Sequence, residues 1–303
     1  MFNPHAGGLR GAKRVRLDAA VEVLGRAGRA VTLLPTPGPN RAGELAARAA
    51  SDGFDLVLAA GGDGTINEAM NGLVGSPVAF GALPAGTANV LANELGLSNR
   101  PDRAASQLLN AVPARVSVGA LDRPAHGTAP ASRRYFLLMA GIGLDALIVY
   151  DLDLALKARF GKLAYWHGGF RNMGRARSRF SVEIDGVCRQ ASFALITRVR
   201  NYGGDFEIAR RIRLTDPDFE VVLFERGDWH DYLKYFGSVL FNRLYKTDGV
   251  TVLRTREVSL SGTDDTRIHI QTDGELLGAL PARVSIVPDA LNLLLPKTYL
   301  RQP

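Results

Sequence analysis

A Gly-Gly-Asp-Gly-Thr run at residues 61–65 is the part of the sequence best suited to chemistry. Glycine lets backbone amides approach a ligand closely, and the helix that we predict after the run offers unpaired N–H groups and the positive end of a dipole. Thr65 and Asn67 add polar groups to the first helical turn, while Asp63 would hold a magnesium ion or polarise an acceptor hydroxyl. The run therefore predicts a phosphate site, with a tight turn and helix cap as the alternative.

A second loop of the same kind follows the next predicted strand and reads Pro-Ala-Gly-Thr-Ala-Asn over residues 84–89. Ligands in open α/β sheets bind beyond the carboxyl ends of the strands, so both loops are expected to face one crevice. A helix cap is the alternative role for Thr87, and a turn amide is the alternative for Asn89. The pair of loops favours a phosphate site over two unrelated turns.

Two carboxylates flank a glycine near the other end of the chain, at Asp273-Gly274-Glu275. The segment comes directly after a predicted strand, so an ordinary hairpin turn is one interpretation. The functional interpretation is a general base that takes the proton from an attacking hydroxyl, a group that phosphoryl transfer requires besides positioning and metal charge.

The elements that must position these residues change in type near Pro113. Before it, predicted strands over 29–34, 55–60 and 78–83 alternate with helical patterns such as residues 42–51. Strands joined through helices indicate an open parallel sheet. We therefore predict an α/β nucleotide-binding domain at residues 1–112.

Strand-like runs dominate the rest of the chain. An Asp185-Gly186 pair between two of them is a hairpin signal. One amphipathic helix is predicted over residues 228–245. We predict a β-rich, sandwich-like domain at residues 113–290 and a tail at 291–303 that returns to the first domain.

Composition excludes several classes of protein. The chain has 303 residues, of which 46% are hydrophobic, and this is enough for a large core. Cys188 is the single cysteine, so an internal disulfide framework and a Cys-rich zinc site are excluded. We predict Cys188 to be a small core residue. No apolar run is long enough to span a bilayer, so we expect a soluble protein with at most peripheral membrane contact. The single cysteine fits a reducing cytoplasm, and we expect a cytoplasmic location.

Positive charge is concentrated between Lys157 and Arg179. This stretch holds seven basic residues and no acidic one, and aromatic residues are interleaved with them, in a chain of net charge +7. Such a pattern is typical of a surface that contacts anionic lipid. A solvated helix face and a nucleic-acid surface are the alternatives, but no nucleic-acid motif accompanies the stretch, so we expect no nucleic-acid partner.

Taken in order, the motifs resemble those of the diacylglycerol kinase catalytic-domain family, which includes bacterial soluble lipid kinases and sphingosine kinases. Asn-Pro-x-x-Gly lies at residues 3–7, Gly-Gly-Asp-Gly-Thr-x-Asn-Glu at 61–68 and Pro-x-Gly-Thr-x-Asn at 84–89. Gly-x-Gly-x-Asp-Ala lies at 141–146, and Asp-Gly-Glu at 273–275. Each motif alone is weak, but the ordered set spans nearly the whole chain.

The resemblance implies transfer of the γ-phosphoryl group of ATP, with Mg²⁺, to a lipid hydroxyl. It implies that the first domain binds ATP and the second binds lipid. Glu275 matches the usual proton acceptor of bacterial members, Asp63 matches the one assigned in sphingosine kinases, and Asp273 is a third candidate. The matched nucleotide-binding residues are Asn3, Thr36, Gly61, Gly62, Asp63, Gly64, Thr65, Asn67, Glu68, Gly86, Thr87 and Asn89.

The resemblance also implies a structural magnesium in the second domain. The matching ligands are Arg213, Asp216 and Asp218, although Pro217 stands where the family normally has glycine. An ordinary acidic turn is the alternative. Val90 and Asp205 are further departures from the family pattern, and Val90 puts recognition of the lipid headgroup in doubt.

Other functions stay open at this stage. Diacylglycerol is the expected substrate and implies a role in phospholipid biosynthesis, while a sphingoid base is an alternative acceptor. NAD kinases also use Gly-Gly-Asp-Gly-Thr, and a non-catalytic lipid-binding protein that kept the fold is a further alternative. We expect a lipid partner and leave a homodimer as an open alternative.

Overall fold

The computed structural model divides the chain into two compact units, Met1–Val118 with Pro288–Pro303 and Gly119–Val287. It describes residues 1–9, 14–125, 130–143, 179–202, 206–262 and 267–301. The basic stretch from Lys157 lies outside the described residues except for Arg179, and so does the second half of the motif at 141–146.

The described residues form helices mainly in the first unit and strands mainly in the second. The helices are α1 (Val15–Arg26), α2 (Ala42–Ser51), α3 (Asp63–Asn71), α4 (Val90–Glu94), α5 (Pro101–Leu108), α6 (Trp229–Leu240) and α7 (Lys297–Leu300). The strands are β1 (Leu56–Gly61), β2 (Ala79–Pro84), β3 (Val112–Arg123), β4 (Ser132–Phe136), β5 (Met139–Gly143), β6 (Phe180–Ile184), β7 (Val187–Ala191), β8 (Phe193–Thr197), β9 (Asn201–Tyr202), β10 (Phe206–Glu207), β11 (Phe219–Phe224), β12 (Val250–Thr255), β13 (Glu257–Gly262), β14 (His269–Thr272), β15 (Glu275–Ala279) and β16 (Ala282–Leu295).

The first unit is an α/β domain built on parallel strands. β1 pairs with β2 in register from Leu56 opposite Ala79 to Gly61 opposite Pro84. The last part of β16 adds a third parallel strand beside β2 at Asn292 and Leu293. Most residues of β1 and β2 are buried, which explains why both strands are nearly continuous apolar runs. The carboxyl ends of β1 and β2 lead directly into the two glycine loops.

The predicted strand over residues 29–34 is wrong, because these residues form no regular ladder within the described chain. Phe2 instead makes single parallel bridges to Pro35 and to Ala60. Its N–H donates to the carbonyl of Leu34 at 2.9 Å, and its carbonyl accepts from Thr36 at 2.9 Å. Residues 29–33 are exposed, so the β-branched and leucine side chains that suggested a strand cover no core.

The second unit is an antiparallel β-sandwich. Within the described residues, one sheet has the order β12-β11-β8-β5-β14-β15, and the other contains β7, β6, β13 and the first part of β16. The sandwich core combines side chains from both sheets, including Phe180, Val182, Phe219 and Val221. An α/β domain followed by a β-sandwich confirms the predicted fold class.

Two local predictions in the second unit need correction. Helix α6 ends at Leu240 rather than at residue 245, because Asn242 takes the left-handed conformation with φ 57° and breaks the helix. Cys188 is exposed rather than buried. It lies on β7 at the end of its sheet, where one face of the strand meets solvent.

The C-terminal residues belong to the first unit. Tyr299 in α7 is buried, and its hydroxyl donates to the Glu94 carboxylate of α4 at 3.0 Å. This hydrogen bond ties the end of the chain to the helix that follows the second glycine loop.

Candidate functional site

The first glycine loop connects β1 to α3. Gly62 is extended, with φ −85° and ψ 179°, and it precedes the first helical residue, Asp63. The N–H groups of the first turn of a helix have no partner within the helix and point out of its end. Thr65 and Asn67 are buried in the first two turns, while Gly64 is partly exposed. Together with the helix dipole, this end of α3 is suited to bind an anion.

The two glycine loops touch through their backbones. A Cβ atom on Gly86 would lie 2.5 Å from the Cα of Gly62, a distance that only glycine avoids. The Ala85 N–H donates to the Gly61 carbonyl at 2.8 Å. The Asp63 carboxylate accepts the Val90 N–H at 2.7 Å, at the start of α4. The loops therefore form one rigid cradle at the carboxyl ends of neighbouring parallel strands.

Asn89 sets the shape of the second loop. It adopts φ 47°, and its side-chain amide closes on Gly86, accepting from the Gly86 N–H at 2.8 Å and donating to the Gly86 carbonyl at 3.1 Å. Thr87 is exposed at the tip of the loop. Asn89 is thus a structural element of the loop, whereas the Thr87 hydroxyl is accessible to a ligand.

Other residues matched to nucleotide binding make hydrogen bonds within the first unit. The Asn3 side chain donates to the Thr65 hydroxyl at 3.1 Å. The Glu68 carboxylate accepts the N–H groups of Asn40 and Ala42 at 3.2 and 3.0 Å, and so caps α2. Asn67 accepts from the Asn71 side chain at 3.1 Å. Thr36 is buried, and its N–H donates to the Phe2 carbonyl.

In the second unit, Asp273 binds backbone amides. It is buried, and its two oxygens accept the N–H groups of Leu137, Leu138 and Met139 at 2.9 to 3.0 Å. Asp273 and Gly274 form the left-handed turn between β14 and β15, with φ 47° and 84°. The Asp273 carboxylate therefore holds the connection between β4 and β5.

Glu275 is placed differently from its neighbour. It begins β15, and its carboxylate forms an ion pair with the Arg134 guanidinium at 2.6 Å. Both side chains are partly exposed, 27% for Glu275 and 29% for Arg134. Glu275 is thus a titratable group that a ligand can reach. Sequence analysis missed Arg134, since no motif marks it and its partner lies 141 residues away.

The three residues matched to a magnesium site lie in one turn, and arginine side chains contact the oxygens of two of them, Asp216 and Asp218. The Arg198 guanidinium donates to the main-chain carbonyls of Asp216 and Asp218. The Arg254 guanidinium lies 3.0 Å from the Asp216 carboxylate, and the Asp216 carboxylate accepts the Arg213 N–H at 3.2 Å. Since guanidinium groups already contact both of these carbonyls and the Asp216 carboxylate, the arrangement does not fit a divalent cation.

Within the described residues, no group of three or more His, Cys, Asp or Glu side chains could hold a metal ion. Likewise, none of the helices in this part of the chain is both long enough and apolar enough to cross a bilayer.

Comparisons with known proteins agree with this architecture. Residues 1–121 match the family model described as the diacylglycerol kinase catalytic domain. Residues 139–295 match the model described as the YegS C-terminal NAD kinase beta sandwich-like domain.

Individual relatives cover almost the whole chain. A diacylglycerol kinase of Bacillus subtilis is 26% identical, over 100% of this chain and 97% of the relative. One of Mycobacterium tuberculosis is also 26% identical, over 84% and 81%. A solved structure of a diacylglycerol kinase from Bacillus anthracis superposes with a TM-score of 0.76 at 20% identity, covering 98% of this chain and 96% of that one. The structural likeness shows a shared fold. The two family models, together with the ordered motifs, show that the chain belongs to the diacylglycerol kinase catalytic-domain family.

Proposed function

We propose that this protein transfers the γ-phosphoryl group of ATP to the hydroxyl of a diacylglycerol-type lipid. The observation that carries the proposal is the contact between Gly62 and Gly86, which leaves no room for a side chain and brings the backbones of both loops together at the start of α3. Such a cradle suits phosphate groups, because N–H groups and a helix dipole both favour negative charge. Membership of the kinase family supports the choice of ATP.

In this proposal the first unit binds the nucleotide. The cradle holds the phosphates through main-chain N–H groups, and the Thr87 hydroxyl adds a contact from the exposed loop tip. Mg²⁺ bound with ATP supplies positive charge to the phosphate oxygens when it is present. Asp63 orients the second loop through Val90, which makes it a positioning residue for the cradle.

In the second unit we assign proton acceptance to Glu275. As the lipid hydroxyl oxygen bonds to the γ-phosphorus, the bond to the bridging oxygen breaks, ADP leaves and the hydroxyl proton moves to the Glu275 carboxylate. Arg134 holds that carboxylate in one orientation. Asp273 is assigned a positioning role, because its oxygens are engaged with three backbone amides.

The choice of lipid follows the named relatives of the chain. The relatives named diacylglycerol kinase are 26% identical, so diacylglycerol is proposed and a sphingoid base is the alternative acceptor. We further propose that the stretch from Lys157 to Arg179 holds the enzyme on anionic lipid. Neutralising Arg171, Arg175, Arg177 and Arg179 should then weaken binding to anionic vesicles. Unchanged vesicle binding would refute the membrane role.

The direct test is transfer of labelled phosphate from ATP to a panel of acceptors. The panel contains diacylglycerol, phosphatidylglycerol, a sphingoid base and NAD. We expect labelled phosphatidic acid from diacylglycerol. Labelled NADP would favour a soluble-substrate kinase, and lipid binding without any transfer would favour a non-catalytic protein.

Variants assign the roles within the reaction. Glu275→Gln should lower kcat roughly 100-fold or more, as expected for loss of a general base. Glu257→Gln is the matched control, because Glu257 forms an ion pair of the same length, 2.6 Å, with Arg283 on the same unit. If Asp63→Asn abolishes transfer while Glu275→Gln retains it, the base is Asp63 instead.

The nucleotide cradle needs a separate variant. Gly86→Ala should abolish ATP binding, since the added Cβ would meet the backbone of Gly62. Gly25→Ala in α1 is the control, because a Cβ there meets nothing within 4 Å. Equal ATP affinity in both variants would place the nucleotide elsewhere.

A further inference from the structure

A fully buried arginine lies inside the second unit, directly after β8. Arg198 is 0% exposed, and its guanidinium faces the turn between residues 213 and 218. One guanidinium nitrogen donates to the carbonyl of Leu214 at 2.8 Å and to that of Asp216 at 3.1 Å. The other terminal nitrogen donates to the carbonyl of Asp218 at 3.3 Å. A single cationic group therefore gathers three main-chain oxygens of one turn.

The carboxylates of the same turn are bound by two more arginines. Arg254 lies 3.0 Å from the Asp216 carboxylate and 3.5 Å from that of Asp218. Arg256 lies 3.1 Å from Asp218 on the other side. These pairs are partly exposed, whereas Arg198 is enclosed. The turn thus contacts three positive side chains, and it contains two carboxylates together with Arg213.

Main-chain carbonyls and carboxylates are the ligands that Mg²⁺ and Ca²⁺ prefer. A cation bound by the three carbonyls would need their oxygens at roughly 2.0 to 2.6 Å, and these oxygens already accept hydrogen bonds from the Arg198 guanidinium. Adding a divalent cation beside three guanidinium groups would also bring like charges together. The arginine and the cation are therefore mutually exclusive.

We propose that Arg198, together with Arg254 and Arg256, takes the place of a structural cation at the 213–218 turn of this protein. Guanidinium suits this role because its planar fork donates several hydrogen bonds and keeps its charge when buried. The turn leads directly into β11, whose Phe219 and Val221 lie in the sandwich core. The arginine cluster consequently holds one wall of the core without any metal, and the folding of this unit is independent of divalent cations.

The test compares thermal unfolding of the nucleotide-free protein in EDTA, in Mg²⁺ and in Ca²⁺. We expect the same melting temperature for the wild type in all three. The variant D216N/D218N replaces both carboxylates of the turn by neutral amides. It shows whether any effect of cations on the melting temperature depends on these carboxylates. A fall in EDTA that Mg²⁺ or Ca²⁺ reverses, and that is missing from D216N/D218N, would overturn the proposal. A fall that persists in D216N/D218N would likewise overturn the inference that folding is independent of divalent cations.

Substitution of the buried arginine gives the second readout. Arg198→Met should lower the melting temperature by roughly 5 °C or more, since it removes the partner of three carbonyls. Arg283→Met is the control, because Arg283 is exposed and forms an ion pair with Glu257. Should Arg198→Met fail to fold, Arg198→Lys keeps the charge without the planar fork and should show an intermediate loss. Arg198 variants that melt like the wild type would refute the role of the guanidinium.

Discussion

Two Asp-Gly turns in the second unit have the same sequence and nearly the same backbone, yet different surroundings. Asp185 and Gly186 join β6 to β7 with φ 51° and 76°. Asp273 and Gly274 join β14 to β15 with φ 47° and 84°. The Asp185 side chain is exposed, whereas Asp273 is 7% exposed and accepts three backbone N–H groups.

The difference comes from the neighbours of each hairpin. β7 and β15 both end their sheets, so strand order does not distinguish the two turns. β14 lies between β15 and β5, and this places the Asp273 turn against the connection from β4 to β5. The Asp-Gly pair thus predicts the turn conformation in both places. Whether the aspartate carboxylate is buried and accepts hydrogen bonds depends on the segment that packs beside the turn.

The largest expected effect separates the two aspartates. Asp273→Asn should lower the free energy of unfolding by roughly 3 kcal/mol, because an amide nitrogen would face a backbone N–H inside the protein. Asp185→Asn, the matched control, should change it by less than about 0.5 kcal/mol. Urea unfolding measures both, and amide exchange at residues 137–139 should accelerate only in Asp273→Asn. Equal effects of the two substitutions would show that the three backbone hydrogen bonds of Asp273 do not stabilise the fold.

The two glycines should instead behave alike. Gly274→Ala and Gly186→Ala should each lower the free energy of unfolding by roughly 1 to 2 kcal/mol, the cost of a left-handed residue with a side chain. An added Cβ meets nothing within 4 Å at either position, so conformation is the only term that changes. Urea unfolding of both variants tests this. A much larger loss at Gly274 would contradict it.

A smaller effect concerns the residue after the buried turn. A double-mutant cycle with Glu275→Gln and Arg134→Met should give a coupling of about 1 kcal/mol at most, since the pair is partly exposed and screened by solvent. The equivalent cycle on Glu257 and Arg283, which are more exposed, should give less. The same coupling in both cycles would mean that Arg134 does not hold Glu275 more firmly than an ordinary surface pair.

The smallest effect is expected at the matching position of the other hairpin. Val187 follows the Asp185 turn as Glu275 follows the Asp273 turn, and its side chain is 50% exposed. Val187→Glu should change the free energy of unfolding by less than about 0.5 kcal/mol, because the added carboxylate remains in water. Thermal unfolding checks it. A loss comparable to that of Asp273→Asn would show that this edge is more closely packed than its exposure indicates.

Much of the local structure could be predicted from sequence. Helix α2 was predicted with its observed limits, and the hairpin at Asp185 also follows the prediction. The prediction was wrong for the strand over 29–34, which has no neighbouring strand to form a ladder with among the described residues. It was also wrong for the end of α6, where the left-handed conformation of Asn242 breaks the helix. Periodicity reports which face of a segment is apolar, but it does not report whether another segment lies beside it.

The sequence by itself determined the family, the two glycine loops and the order of α/β and β-sandwich units, because these depend on short local motifs and on their order along the chain. Only the tertiary structure decided the roles of the charged groups. Asp273 and Arg134 bind partners 134 to 141 residues away, and Arg198 reaches carbonyls in a turn that no spacing rule connects to it. A buried charge needs a hydrogen-bond or ionic partner, and the fold can supply that partner from a distant segment of the chain. The role of such a charge is therefore set by the packing of distant segments.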